Sequence, residues 1–461
     1  MKEYLSVNHA GAIAGLFLGL LTPSPVHAAM LQVPAGYPTI QAAVNAAQSG
    51  DEVHIAAGVY REQATVTNKA LTLSGEPGTV IMAWTNMVPS SGDIWHNLFE
   101  FVSADVTVNG IDFEGEELDD DLPGNFGFAA LFYRSSGGRV ENCVLRGFRG
   151  KTRFNKRTSV GVTCHNPRVL NTNVVNLEIV HNTFADNGGA MWITGDFLAN
   201  PTVLRVTLLV EDNTVTGNSP IVGSPDDPQQ GIEIEPSVSG TIKNNRISNF
   251  YCGVSDPIQQ SWGILAYDST RFFQTPIFAL QSLRIENNVF VNNQNGLGAA
   301  GCDNCQIIGN FFDGGGPGTD GLRISGTNLT VNFNQFTNLT RGITLLGNDP
   351  AFGTNAGIAH VVSLIDNRLC SVGTNLVVEP LVTAVTEQGT LTCPFPDPML
   401  DIAPAVFLSW PNYASGWTLE SAPTVNGPWT WLDAVPTDQD GRYTFAVRCA
   451  GQQRFFRLRA P

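Results

Sequence analysis

Short apolar runs recur along the chain, each ending in a polar corner, an asparagine and, two residues later, another apolar side chain. LEIVHNTF, LLVEDNTV and LRIENNVF are examples. The asparagines are Asn142, Asn182, Asn213, Asn245, Asn288, Asn310, Asn334 and Asn367, followed by Val144, Phe184, Val215, Ile247, Phe290, Phe312, Phe336 and Leu369. Neighbouring asparagines come as close as 22 and 24 residues. A unit that short holds about three strands of 3–5 residues with their turns, and cannot bury an apolar face alone. It must stack on its neighbours. Stacked three-strand coils form a parallel β-helix, in which equivalent residues of successive coils line up. Asparagine suits a fixed corner because it tolerates left-handed backbone and its amide can bond to the equivalent residue one coil away. Intervals of 31 to 43 residues read as coils with loops inserted at the corners.

Two other segments break this pattern. From Thr39 to Gln48, apolar Ile40, Ala43, Val44 and Ala47 fall at helical spacing behind a Thr39 N-cap, which predicts one short helix ahead of the first strands, closing the open end of the stack. Near the other end, Pro394, Pro396, Pro398 and Pro404 mark residues 381–403 as a linker. Beyond it, FLSW, WTLES, WTWLD, YTFAV and RFFRLR predict five strands of a small β-sandwich at 404–461. Trp410, Trp417, Trp429 and Trp431 of that module read as its core, with sugar stacking as the alternative.

Composition narrows compartment and partner. Residues 1–28 read as an export signal: Lys2, an apolar stretch from Ala10 to Leu21, and Val26-His27-Ala28 as the cleavage site. No segment is long and apolar enough to predict a membrane span. The expected product is therefore secreted or held at the cell surface, with residues 29–380 as the solenoid. A net charge of −16 argues against nucleic acid, and against an acidic polysaccharide unless calcium or a basic strip intervenes. Eight cysteines suit an oxidising compartment and disulfides. The Cys302-x-x-Cys305 pair reads as a corner disulfide or buried thiols, because no second pair or following histidine completes a metal or haem motif. The acidic run EGEELDDD from Glu114 reads as a solvated loop, with calcium binding as the alternative; the basic run from Arg146 to Arg157 lies about one coil later, where it could pair with the acidic run or equally hold an acidic sugar.

The stretch LQVPAGYPTIQAAVNAAQSGDEVHIAAGVYRE resembles the amino-terminal cap and first coil of the pectin-lyase-like superfamily of right-handed parallel β-helices, and the looser repeat extends the resemblance to about Pro380. The terminal module is similar to carboxy-terminal modules of exported bacterial proteins that end in a Phe-Phe-Arg-Leu-Arg strand. The superfamily contains lyases, hydrolases, esterases, tailspikes and non-enzymatic repeat proteins, so the resemblance implies a fold rather than one reaction. The Gly58-Val-Tyr-Arg-Glu62 element is the superfamily's structural first-coil feature. The catalytic strands of its methylesterases, polygalacturonases and pectate lyases are missing.

Several strands open on a small residue and share one register: Gly161–His165, Ala190–Thr194, Gly231–Glu235, Gly263–Tyr267, Gly321–Ser325 and Gly342–Leu346. Alternation sends one outward column through Thr163, Trp192, Glu233, Leu265, Arg323 and Thr344, and a second through His165, Thr194, Glu235, Tyr267 and Ser325. The superfamily resemblance implies that polysaccharide lies on this face. Glu233 and Glu235 are then the candidate acid and base, and Trp192, Tyr267, His165 and Arg323 the substrate contacts. Asp226, Asp227 and Asp268 could supply calcium ligands. The competing reading makes both glutamates ordinary solvated residues of an exposed sheet. A lyase is less well supported, because the one outward base in these columns, Arg323, lies two coils or more from Glu233. The expectation is an extracellular β-helix that binds a neutral or calcium-bridged polysaccharide, with hydrolase-like or lyase-like cleavage left open, and with a non-catalytic structural or adhesive surface protein as the alternative.

Overall fold

The computed structural model describes residues 28–90, 95–122, 127–151, 159–166, 173–195, 204–218, 229–251, 260–267, 280–315, 319–347, 359–393, 405–411, 418–432, 437–439, 442–448 and 455–459. The chain divides into two units, Met1–Pro394 and Phe395–Pro461. The leader read at 1–28 lies, apart from Ala28, outside the described residues.

Three-strand coils build the first unit, and its strand pairings are parallel. Gly137–Glu141, Val144–Arg146 and Ser159–His165 make one coil; Val175–Val180, Thr183–Ala185 and Gly189–Thr194 make the next. Each strand pairs with its equivalent one coil on, placing Val140 beside Ile179, Leu145 beside Phe184 and Val162 beside Met191. Alternation turns these apolar residues inward, so like stacks on like. Phe290, Phe312 and Phe336 stack with ring centroids 4.6 and 4.8 Å apart and planes within 4° and 2° of parallel. That is the spacing of hydrogen-bonded strands. Glycine opens a strand where the ladder leaves no room for a side chain: a β-carbon on Gly321 would lie 2.6 Å from both the Gly342 carbonyl oxygen and the Phe336 ring.

The asparagines form a continuous inner ladder from Asn182 through Asn213, Asn245, Asn288, Asn310 and Asn334 to Asn367. At each rung the side-chain oxygen accepts from the backbone N–H and the amide of the previous asparagine, at 2.9–3.1 Å. Asn142 does not belong to it. Cys143 takes that rung, its N–H donating to Asn182 Oδ1 at 2.9 Å, while Asn142 is exposed and bonds to Asn109. The buried follower there is accordingly Leu145 rather than Val144. The left-handed corner falls one residue earlier than the ladder position, at Asn142, His181, Asp212, Asn244, Asn287, Gly309, Phe333 and Asp366, with φ between 52° and 66°. The ladder asparagine is thus selected for its amide, and its predecessor makes the bend.

At the amino-terminal end a strand, Met30–Val33, comes before the helix rather than after it, and pairs with Glu52–Ile55. The helix spans Ile40–Ala46, with Thr39 Oγ1 accepting from Ala42 N, and buries Ile40, Ala43 and Val44 against the first coil. Glu62, which closes the Gly-Val-Tyr-Arg-Glu element, accepts from Ile40 N and Gln41 N at 3.0 and 2.8 Å. Lys69 Nζ donates to the Val44 and Ala47 carbonyls at the other end. Both termini of the helix are therefore satisfied by charges of the sign its dipole favours.

The linker reading of 381–403 begins too early. Thr383–Gln388 and Leu391–Cys393 pair with His360–Ile365 and Arg368–Val378 and extend the stack. No proline interrupts the chain between Leu381 and Cys393, so nothing there prevents another coil. A disulfide links Cys370 to Cys393 on adjacent rungs. The second unit is a small β-sandwich of two antiparallel sheets: Ala405–Pro411, Arg442–Arg448 and Thr437–Gln439 in one, and Thr418–Ala422, Thr430–Trp431 and Phe455–Arg459 in the other. Trp410 of the first sheet and Leu419 of the second share its core. Trp429 instead lies half-buried beneath Arg457, Trp431 is 67% exposed, and Trp417 falls outside the described residues. Among the described residues no helix is long and apolar enough to cross a membrane.

Candidate functional site

The outward column exists as a run of direct pairings. Adjacent coils join Thr65 to Glu100, Phe132, Thr163, Trp192, Glu233, Leu265, Gly298, Arg323 and Thr344 in turn. Trp192 and Glu233 are immediate neighbours, whereas the coils of Leu265 and Gly298 separate Glu233 from Arg323. In the second column His165 pairs with Thr194. Glu235 lies one coil further, its N–H donating to the Ile193 carbonyl at 2.9 Å. The Tyr267 backbone pairs with Ala300; its side chain, together with Asp226, Asp227 and Asp268, falls outside the described residues.

Alternation predicts an open trough along these columns, and the structure buries them instead. Trp192 retains 8% exposure, Glu235 and Arg323 4%, and Glu233 1%. Strand periodicity states which way a side chain points; it says nothing of what covers it. The same face also carries its own apolar clusters, separate from the solenoid interior. Trp95, Ala129, Phe132, Val160 and Trp192 make one, and Trp262, Leu265, Ala300 and Leu346 another.

His165 stands at the centre of the first cluster. Its ring meets Trp192, Phe132 and Trp95 edge-on, at 4.9, 5.2 and 5.7 Å and angles of 84–86°. The residue keeps some exposure, but Nε2 is buried without a hydrogen bond, as is Trp192 Nε1. Loss of water, and secondarily the positive charge of Arg134 on the preceding rung, pulls the imidazole pKa down to about 4, so the ring is neutral at pH 7. Arg134 pairs with Glu100 at 2.5 Å and lies over the Phe132 ring. Burial lowers Arg323 to about 10, still cationic at neutral pH, with its guanidinium 5.6 Å from the Trp262 ring centroid. Sequence reasoning missed Trp95, Glu100, Phe132 and Arg134. Their strands, WHNLFEFV and GFAALFYR, lack the alternation that exposed the later columns.

No family model and no curated protein sequence matches the chain. Solved structures do. The alginate lyase AlyGC of the PL6 family superposes with a TM-score of 0.51 at 12% identity, covering 81% of this chain and 52% of the lyase. The chain thus spans about half the length of that enzyme. The right-handed parallel β-helix is the fold of both. Two weaker likenesses are the surface protein and adhesin PfbA of Streptococcus pneumoniae, with TM-score 0.46, 13% identity, and 76% and 95% coverage of this and that chain, and a point mutant of the periplasmic alginate epimerase AlgG, with TM-score 0.45, 14% identity, and 74% and 84% coverage.

The β-helix carries its acidic loop beside the basic run of the next coil. Arg146 pairs with Glu114 at 2.5 Å, Arg149 with Glu117 at 2.7 Å and Lys151 with Asp121 at 3.1 Å, so these acids are neutralised within the protein. Among the described residues no group of three or more His, Cys, Asp or Glu is arranged to hold a metal ion. Cys143, Cys164, Cys302 and Cys305 are buried free thiols. Burial pushes Cys143 and Cys164 up to about 12, and a hydrogen bond to Cys305 together with burial raises Cys302, so none of these three is a ready nucleophile. Cys252 and Cys449 lie outside the described residues.

Proposed function

We propose that this β-helix is an exported protein that binds a polysaccharide along the outward face through Trp192, His165, Tyr267 and Arg323, with Glu233 and Glu235 as its acid and base. The pairing of Trp192 with Glu233 carries the reading. The two residues occupy adjacent coils, whose strands lie about 4.8 Å apart, so a sugar stacked on the indole would bring its glycosidic oxygen toward the acid. One carboxyl protonates the leaving oxygen while the other acts as base or nucleophile. Asp226, Asp227 and Asp268 supply calcium ligands where the glycan is acidic, since a chain of net charge −16 otherwise repels it. The disulfide and the leader-like residues 1–28 support export.

Burial of both glutamates favours a second reading, a non-catalytic structural or adhesive surface protein, because a covered strip admits a glycan only after rearrangement. A panel of neutral and acidic polysaccharides, alginate included, separates the two. Release of reducing ends by the wild type, abolished in Glu233→Gln or Glu235→Gln with unchanged melting, supports catalysis. Binding without turnover, lost in Trp192→Ala, marks a lectin-like role. Neither binding nor turnover on any glycan would leave the adhesive or structural reading.

A further inference from the structure

Four coils before Glu233 the same outward ladder passes a cleft that the acid-base reading does not use. It encloses about 400 Å³, within the range of roughly 300–1,000 Å³ typical of small-molecule sites, and its lining includes Gln63, Thr65, Val88, Asn97, Glu100 and Arg134. We infer that this cleft is a second binding site, for a neutral, hydroxyl-rich sugar unit. Asn97 points to a ligand. It is 3% exposed, and neither the oxygen nor the nitrogen of its side-chain amide has a hydrogen bond, although buried amides are almost always satisfied. An amide offers one acceptor and two donors, which a pair of adjacent sugar hydroxyls matches with one donor and one acceptor each.

The remaining lining is built rather than fortuitous. Gln63 is fixed by Nε2 donating to the Val88 and Asn97 carbonyls at 2.9 and 2.8 Å and by Oε1 accepting from Val88 N at 2.9 Å. This holds the exposed Val88 at the rim as an apolar surface for the C–H face of a sugar ring. Glu100 and Arg134 pair at 2.5 Å with side-chain exposures of 8% and 18%. Their charges cancel, so the described lining presents no uncommitted cation for a uronate and no uncommitted anion for an amine. Neutrality of the cleft selects a neutral sugar. The site stands about 19 Å along the axis from Glu233, four strand spacings, and does not depend on what Glu233 does.

Calorimetric titration of the full chain with neutral hexasaccharides (β-1,4-linked glucan, mannan and xylan) and with a hexauronate tests it. At least one neutral sugar is expected to bind, with affinity falling about fivefold or more in Asn97→Ala, the loss of at least one net hydrogen bond. Thr65→Phe, a change at an exposed lining residue that leaves the core intact, is expected to block binding with melting unchanged. Whatever binding survives in Trp192→Ala should be lost when Asn97→Ala is added to it. Failure of every neutral sugar, preference for the hexauronate, or retention of binding in Thr65→Phe overturns the inference. Loss of binding in Trp192→Ala alone would also refute it, while leaving the Trp192–Glu233 reading standing.

Discussion

Asn213 is the most informative residue to remove from the inner ladder. Its oxygen accepts from Asn182 N and Nδ2 at 2.9 and 3.1 Å, and its amide donates to Ile179 O, Glu211 O and Asn245 Oδ1 at 2.8–3.0 Å. Asn182 Nδ2 keeps the Val140 and Val180 carbonyls, and Asn245 Oδ1 keeps the Asn213 backbone N–H. Asn213→Ala therefore strips partners mainly from three backbone groups: Asn182 N, Ile179 O and Glu211 O. At about 1 kcal/mol for each net bond, and more for an orphaned buried donor, the expected loss is about 3–4 kcal/mol. Asn213→Asp keeps an acceptor for Asn182 N but faces three oxygens with no donor. It should cost at least as much at pH 7, and less as acid protonates the new carboxyl. Urea unfolding measures the loss, and amide exchange locates it, since Asn182 N–H should lose protection while Asn310 N–H, further along the stack, does not. A loss below about 0.5 kcal/mol, the scale of an indifferent surface change, would refute the view that these amides bind the coils together.

Two further predictions concern stability. Cys370–Cys393 closes a loop of sequence separation 23, and the chain-entropy relation assigns such a loop about 3 kcal/mol; reduction, or a double change to serine, should speed amide exchange in Thr383–Cys393, and unchanged exchange there would contradict it. His165 has a folded pKa of about 4 against an ordinary 6.5, so the unfolded chain binds the extra proton. Its contribution is complete above about pH 6.5 and is lost as pH falls toward 4, to a limit of about 3 kcal/mol. His165→Gln should flatten that segment of the stability-versus-pH curve, and an unaltered slope would count against a buried neutral imidazole.

Periodicity made the architecture legible because one unit repeats: an apolar strand, a corner and an amide that must find its own kind. It also placed Trp192 next to Glu233 and Arg323 next to Thr344, since register survives wherever alternation is clean. The coil of Asn295–Asp303, NGLGAAGCD, was invisible to that test. Its small residues give no alternation, and so Gly298 was missing from the column between Leu265 and Arg323. Asn142 imitated a ladder residue because a corner asparagine and a ladder asparagine look alike in one dimension; only the hydrogen bond to Cys143 N separates them. Burial of the outward strip was not legible for another reason. Period two records the direction of a side chain, whereas its contact with water depends on residues remote in the chain. Pairing of the acidic and basic corners could be anticipated because one coil in sequence is one step in space.

The inner amides also run head to tail, each nitrogen giving to the oxygen of the asparagine after it. Such a column has an index but no fixed length. Excising one full period, residues 289–310, would bring Asn288 to the place from which Asn310 now reaches Asn334, with each ladder amide still meeting the next ladder oxygen. The molecule is in this sense a ruler whose graduations can be added or removed whole, which is how a chain of this kind can change its reach without redesigning its interior.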